Sequence, residues 1–110
     1  WIGNATLGDV IVWARNKDDG DRIQAFVVEK GSPGILSRKI EGKMALRVTQ
    51  NADIILTDCF VPDRNKLTYA LDFATGTNKI LEASRLMVAW MAAGCAAGAY
   101  EATVKYTTQR

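Results

Sequence analysis

Histidine does not occur in this 110-residue sequence, and its absence removes Ser-His and Cys-His nucleophilic machinery together with the commonest zinc ligand. Metal and hydrolase readings of the segment fall with it. Cysteine is nearly as scarce: Cys59 and Cys95 lie far apart and form no CxxC pair, a usage that fits a reducing intracellular compartment. Also missing is any dense Lys/Arg stripe. The 14 basic and 12 acidic residues are mixed along the chain for a net charge of +2, without the clustering that phosphate-backbone binding requires, so nucleic acid is not an expected partner. The longest apolar run, Met87 to Tyr100, stops short of the roughly 20 apolar residues that cross a bilayer. No membrane span is expected. There are two prolines, no internal repeat and no low-complexity tract.

What is present is globular material: 48% hydrophobic and 24% charged residues, in a length able to bury roughly two-thirds of its unfolded surface. The pattern changes character once. From Gly8 to about Pro62, β-branched and aromatic residues cluster between breakers. Val10 to Ala14 and Ile23 to Val28 flank Asn16-Lys17-Asp18-Asp19-Gly20-Asp21 and read as a hairpin. Gly31-Ser32-Pro33-Gly34 makes the next reversal. Ile35 to Ile40 and Met44 to Thr49 read as weaker strands, and Ile54 to Val61 as a further one closed by Pro62, which cannot donate to a ladder. About five short antiparallel strands are expected.

From Asn78 onward Leu81, Val88, Met91, Cys95 and Ala99 recur near a 3.6 period among good helix formers. Gly94 and Gly98 share one face of this helix and permit close approach by another. A helix of this apolarity needs a bundle around it. The fold class is therefore α+β: residues 1–70 form part of an antiparallel β-domain, 71–77 link, and 78–110 form a long helix. The chain opens on Trp1 without a methionine and reaches Arg110 within a helical pattern that lacks a stop signal. It is expected to be a piece of a longer polypeptide.

The ordered set of signals resembles the acyl-CoA dehydrogenase and acyl-CoA oxidase family over the whole chain. Trp1-Ile2-Gly3-Asn4 matches the family's Trp-Ile-Thr/Ser-Asn stretch. Ala14-Arg15, Phe26-Val27-Val28, Ser32-Pro33-Gly34, Gly42-Lys43 to Leu46-Arg47, and Val61-Pro62 follow in the family's order. Glu82-Ala83-Ser84-Arg85 through Tyr106-Thr107-Thr108-Gln109-Arg110 then resembles the first helix of its C-terminal four-helix bundle. Glutaryl-CoA dehydrogenases and peroxisomal short-chain acyl-CoA oxidases are the nearest look-alikes; the oxidases share the Gly3 variant.

This resemblance implies FAD as cofactor and an acyl-CoA thioester as substrate, with two hydrogens removed from Cα and Cβ. A carboxylate takes the α-proton and flavin N5 the β-hydrogen, while hydrogen bonds polarise the thioester carbonyl. The family's glutamate base falls beyond Arg110, and some members carry an acid where Ser84 stands. No catalytic residue is expected within this chain. The resemblance further implies self-association of the full-length protein as a dimer or homotetramer, oxygen or an electron-transfer flavoprotein as acceptor, and residence in the peroxisome or mitochondrial matrix.

Site residues carry over one by one, each beside a plainer reading. Trp1, with Ile2 and Gly3, is placed against the flavin, where a broad indole excludes water; the alternative is a core tryptophan. Gly3 departs from the family's Thr or Ser and offers backbone N–H in place of a hydroxyl. Glu82 and Arg85, with Leu81 and Ser84 as weaker candidates, are placed along the acyl-CoA channel; the alternative for the charged pair is an i to i+3 ion pair worth about 0.2 to 0.5 kcal/mol. Arg110 resembles an arginine that reaches the flavin pyrophosphate of a neighbouring subunit; the alternative is a solvated end. Trp13, Phe26 and Phe60 are expected in the β-domain core, and Met87, Trp90 and Met91 in that of the bundle. Two function classes stand: a flavoenzyme segment acting on acyl-CoA, and a non-catalytic β-domain with attached helix serving binding or assembly. The isolated chain is expected to be inactive and to associate through its helix.

Overall fold

The computed structural model describes the backbone of residues 1–110 and every side chain except that of Lys79. Four strands form, β1 (Val10–Asn16), β2 (Arg22–Val28), β3 (Ile35–Lys39) and β4 (Ala52–Leu56), followed by the helix α1 (Phe73–Thr108). β1 pairs antiparallel with β2, and β3 with β4, as two separate two-stranded sheets. The arrangement is α+β.

The first hairpin follows directly from its turn chemistry. Asn16 accepts a hydrogen bond from the Asp18 amide at 3.1 Å, a single 3-10 turn spans Lys17–Asp19, and Gly20 takes the left-handed conformation. That geometry fixes a register in which Val10 faces Val28, Val12 faces Phe26, and the bulky Trp13 faces Ala25. Gln24 is buried within it, and its carboxamide is satisfied on both sides. Its Nε2 donates to Asp19 Oδ2 at 2.9 Å, and its Oε1 accepts from Asn16 Nδ2 at 3.2 Å.

The second hairpin is shorter than its apolar run because Gly34 and Asp58 cut it. Gly34 has φ +87, and a Cβ there would lie 2.3 Å from Thr57 O, so only glycine fits. The Thr57 amide donates to Gly34 O at 2.9 Å, and Asp58 turns the chain with φ 48. β4 therefore ends at Leu56, ahead of the Val61 end expected from hydropathy. Met44 to Thr49, expected as a strand, is a loop. Leu46 sits at φ 48, and the Thr49 amide bonds back to Leu46 O at 3.0 Å, which curls the segment out of the extended state.

The core is small and lies where the hairpins meet. Ala5, Val10, Val28 and Ala52 are buried, with Val12, Ile35, Ile54, Cys59 and Val61 packed against them. Val28 is the largest fully buried side chain, contributing roughly 1.5 to 2 kcal/mol of transfer energy. Phe60, expected in this core, is 81% exposed because the chain has already turned away at Asp58. Trp13 and Phe26 are half-buried.

α1 begins at Phe73, earlier than Asn78. Thr75, Gly76 and Thr77 are weak helix formers, so local preference favours the later start. At the boundary Phe73 packs against the ring of Trp13, with centroids 5.2 Å apart and planes at 74°. The helix runs 36 residues, about 54 Å. Its length and apolarity suffice to cross a membrane by composition alone, a test that the core helix of a soluble protein also passes. The chain divides into two compact units, Trp1–Phe73 and Ala74–Arg110.

Candidate functional site

Trp1, Ile2 and Gly3 form an exposed edge of the first unit. Backbone pairing holds them there: the Ile2 amide donates to Ala52 O at 2.8 Å, and the Ala52 amide donates to Ile2 O at 2.9 Å. Asn4, at φ 56, turns the chain back, and its Oδ1 accepts from the Gln50 amide at 3.0 Å. Trp1 is 75% exposed, so it is no core tryptophan of this unit. It borders a hollow of about 400 Å³ that is lined by Ile2, Val10, Val12, Trp13 and Ile54, with the carboxylate of Asp53 at its rim.

Three features mark this hollow. Its walls are largely apolar, the indole of Trp1 stands open beside it, and the Gly3 amide makes no hydrogen bond among the described residues. Gly3 is not conformationally forced. Its φ lies outside the left-handed region, and a Cβ would meet only Thr49 Cγ2, at an ordinary 3.5 Å. A side chain would fit here.

The remaining candidates lie in the second unit. Leu81, Ser84 and Arg85 are spaced i, i+3, i+4 and share one face of α1, with Glu82 beside them. Ser84 is half-buried and donates its hydroxyl to Leu81 O at 3.1 Å; it is thereby tied to the helix backbone. Glu82 and Arg85 are exposed, and no ion pair joins them among the described residues. Arg110 lies beyond the helix end, with its guanidinium 5.8 Å from the centroid of the Tyr106 ring. The structure thus gathers Trp1 to Gly3 into one edge, and Leu81, Ser84 and Arg85 onto one helix face with Glu82 flanking it.

The lining residues Val10, Val12, Asp53 and Ile54 were not singled out by sequence. They come from consecutive stretches of β1 and β4, and they reach the Trp1 edge through the pairing of Ile2 with Ala52, fifty positions downstream. No group of His, Cys, Asp and Glu able to hold a metal occurs among the described residues.

No family model matches the chain. Curated proteins do. It is 35% identical over 110 residues, 98% of its length, to an acryloyl-CoA reductase (NADH) of Anaerotignum propionicum. It is 31% identical over 113 residues, 100% of its length, to a cyclohex-1-ene-1-carbonyl-CoA dehydrogenase of Geobacter metallireducens. A probable acyl-CoA dehydrogenase of Bacillus subtilis is 31% identical over 117 residues. The chain spans 28% of the first relative's length and 30% of each of the other two. With similarity running through both the strands and the helix in several acyl-CoA dehydrogenases, the chain belongs to the acyl-CoA dehydrogenase family.

Proposed function

We propose that this chain is the segment of an FAD-dependent acyl-CoA oxidoreductase that supplies one wall of the flavin pocket and part of the thioester channel. The observation that carries the reading is the open edge Trp1-Ile2-Gly3 beside an apolar hollow, in a chain similar along its whole length to enzymes named for CoA thioesters. When bound, FAD supplies the hydride chemistry that interconverts an acyl-CoA and its α,β-unsaturated counterpart.

The chain's own residues bind and orient. Trp1 covers the ring plane and excludes water, which strengthens every electrostatic interaction beneath it. Gly3 offers its amide N–H to the ring edge. Glu82 and Arg85 present a carboxylate and a guanidinium to the polar arm of the CoA, with Leu81 and Ser84 on the same helix face. Arg110 serves a flavin phosphate as a bidentate donor, exchanging its contact with Tyr106 for the anion. The general base and most of the acyl pocket come from outside this segment.

The acceptor is an electron-transfer flavoprotein or oxygen. One relative, 35% identical over 104 residues, is named as a subunit of a caffeyl-CoA reductase-Etf complex from Acetobacterium woodii, which supports the first. Gly3 supports the second, because it withholds the hydroxyl that the family's Thr or Ser brings to the flavin edge. Full-length polypeptide is expected to purify yellow, to bind FAD, and to turn over short-chain or glutaryl thioesters. Colourless protein that takes up no FAD overturns the reading in favour of a binding or assembly module. Gly3→Thr, for which the structure leaves room, is expected to lower peroxide release relative to turnover with an electron-transfer flavoprotein. An unchanged ratio removes Gly3 from the choice of acceptor.

A further inference from the structure

Hydropathy would turn Met44, Leu46 and Val48 inward and Lys43 out. The structure inverts this. Met44 is 97% exposed and Val48 90% exposed, whereas Lys43 is half-buried. Its ammonium has three N–H donors, and all three are committed. Lys43 Nζ donates to Leu46 O at 2.9 Å, to Thr49 O at 2.7 Å, and to Asn51 Oδ1. Leu46 O and Thr49 O each already accept one loop amide, from Thr49 and Asn51, and the ammonium adds a second, charge-strengthened donor to both.

The residues so held are those that hold the Trp1 edge. Among the described residues, the long-range hydrogen bonds of Ile2 and Asn4 run to Ala52 and Gln50. Thr6 Oγ1 adds a bond to Gln50 Oε1 at 3.0 Å. Thr49, whose carbonyl Lys43 grips, puts its methyl against the empty side of Gly3. Asn51, gripped through its side chain, directly precedes Ala52, and its own amide donates to Thr49 O at 3.1 Å. Lys43 therefore sits at the hub of a loop whose far side is the bed of residues 1 to 4.

We propose that Lys43 is a positioning residue for the Trp1-Ile2-Gly3 edge, acting through Thr49, Gln50 and Ala52. The consequence for cofactor binding rests on the flavin reading above; the positioning itself does not. Without the ammonium, Leu46 O and Thr49 O keep only the amides of Thr49 and Asn51 and the link from Lys43 to Asn51 Oδ1 is lost, so the loop loosens and the bed under Ile2 softens while the β1–β2 hairpin, held by its own ladder, stays intact.

The test uses the full-length polypeptide with Lys43→Met, which keeps the stem and removes the donors, Lys43→Arg, which keeps charge and donors, and Asn51→Ala, which removes one acceptor. Amide hydrogen exchange is read at Ile2, Gln50 and Ala52, with Val12 and Phe26, which face each other in the β1–β2 ladder, as internal controls. Lys43→Met is expected to speed exchange at the first three by about tenfold while the controls stay within about twofold. Lys43→Arg is expected to restore most of the protection, and Asn51→Ala to lose about threefold. The affinity for FAD and its visible absorption are read in parallel, and Lys43→Met is expected to weaken binding about tenfold with rescue by Lys43→Arg. Unchanged exchange at Ile2 and Ala52 overturns the proposal, as does equal acceleration at the controls, which marks general destabilisation. Altered exchange with unaltered FAD affinity and spectrum overturns the link from edge to cofactor. A wild type that binds no FAD defeats the flavin reading alone, because the exchange pattern still decides the role of Lys43.

Discussion

The two compact units solve the problem of apolar surface in opposite ways. Every buried residue among those described, Ala5, Val10, Gln24, Ala25, Val28 and Ala52, belongs to the strand unit. That unit has a modest core but settles its polar groups internally: Gln24 between Asn16 and Asp19, Lys43 among three acceptors, Asn65 on Val27 O. α1 is the reverse. Its backbone is self-paired by helical bonds, and the hydroxyls of Thr103, Thr107 and Thr108 return to carbonyls one turn back, yet Leu86, Met87, Trp90, Met91, Tyr100 and Tyr106 all lie open. Secondary structure satisfies a backbone without burying a side chain. A helix apolar around its circumference is stable in water only when covered, and the chain spans 28% and 30% of the length of the first two relatives.

The contrast breaks most sharply at Trp90, which is 72% exposed here. In a polypeptide of the relatives' full length, Trp90→Ala is expected to cost about 3 to 5 kcal/mol, the range for emptying a filled core site. In the 110-residue chain alone it should cost less than about 0.5 kcal/mol, as for an uncovered surface position. Urea titrations of both lengths check this, and equal small effects would mean that nothing covers this face. Next in size is Gly34→Ala, whose Cβ would strike Thr57 O and whose φ of +87 resists any L side chain. A loss of about 3 kcal/mol is expected in either length. Gly20→Ala, which meets only the φ cost with open space around it, should lose about 1 to 2 kcal/mol.

How much of this was legible in the sequence depends on whether the deciding partner was near. The first hairpin was, because β-branched runs flank a turn whose Asn16 and Gly20 carry their own instructions. The α+β order and the family register were legible from an ordered series of short matches, none decisive alone. The Met44 to Thr49 segment misled, because alternation of Met44, Leu46 and Val48 has the period of a strand. The turn at Leu46 curls it and a half-buried lysine clamps the curl, whereas a hydropathy pattern reads every lysine as solvent-facing. The end of β4 misled likewise, since Cys59-Phe60-Val61 continues the apolar run, and what stops it is the left-handed turn at Asp58 beside the close pass of Thr57 over Gly34 across the hairpin. At the candidate site the residue types of Trp1 to Gly3 were readable, while their bed at Gln50 and Ala52 was not, being a long-range pairing.

Smaller effects sharpen the comparison further along α1. No atom lies within 4 Å of a Cβ added at Gly94 or Gly98, so in this chain Gly98→Ala should behave as a helix-propensity change and stabilise by about 1 kcal/mol. Should another helix approach this face in the full-length polypeptide, the added methyl overpacks it and the sign reverses, with a loss of about 1 to 3 kcal/mol. A thermal melt of each length reads the sign directly. The smallest expected effect on stability is at Glu82, exposed and without an ion pair to Arg85 among the described residues. Glu82→Gln should change stability by less than about 0.5 kcal/mol in either length. That near-neutrality is what gives the substitution its use, since any functional change then cannot be a folding defect. If the helix face carrying Leu81, Ser84 and Arg85 receives the polar arm of a CoA thioester, the variant should raise KM by about three- to tenfold with kcat little altered, the signature of lost ground-state binding. Unchanged KM would remove Glu82 from the channel and leave Arg85 as the charged residue of that face to be tested alone.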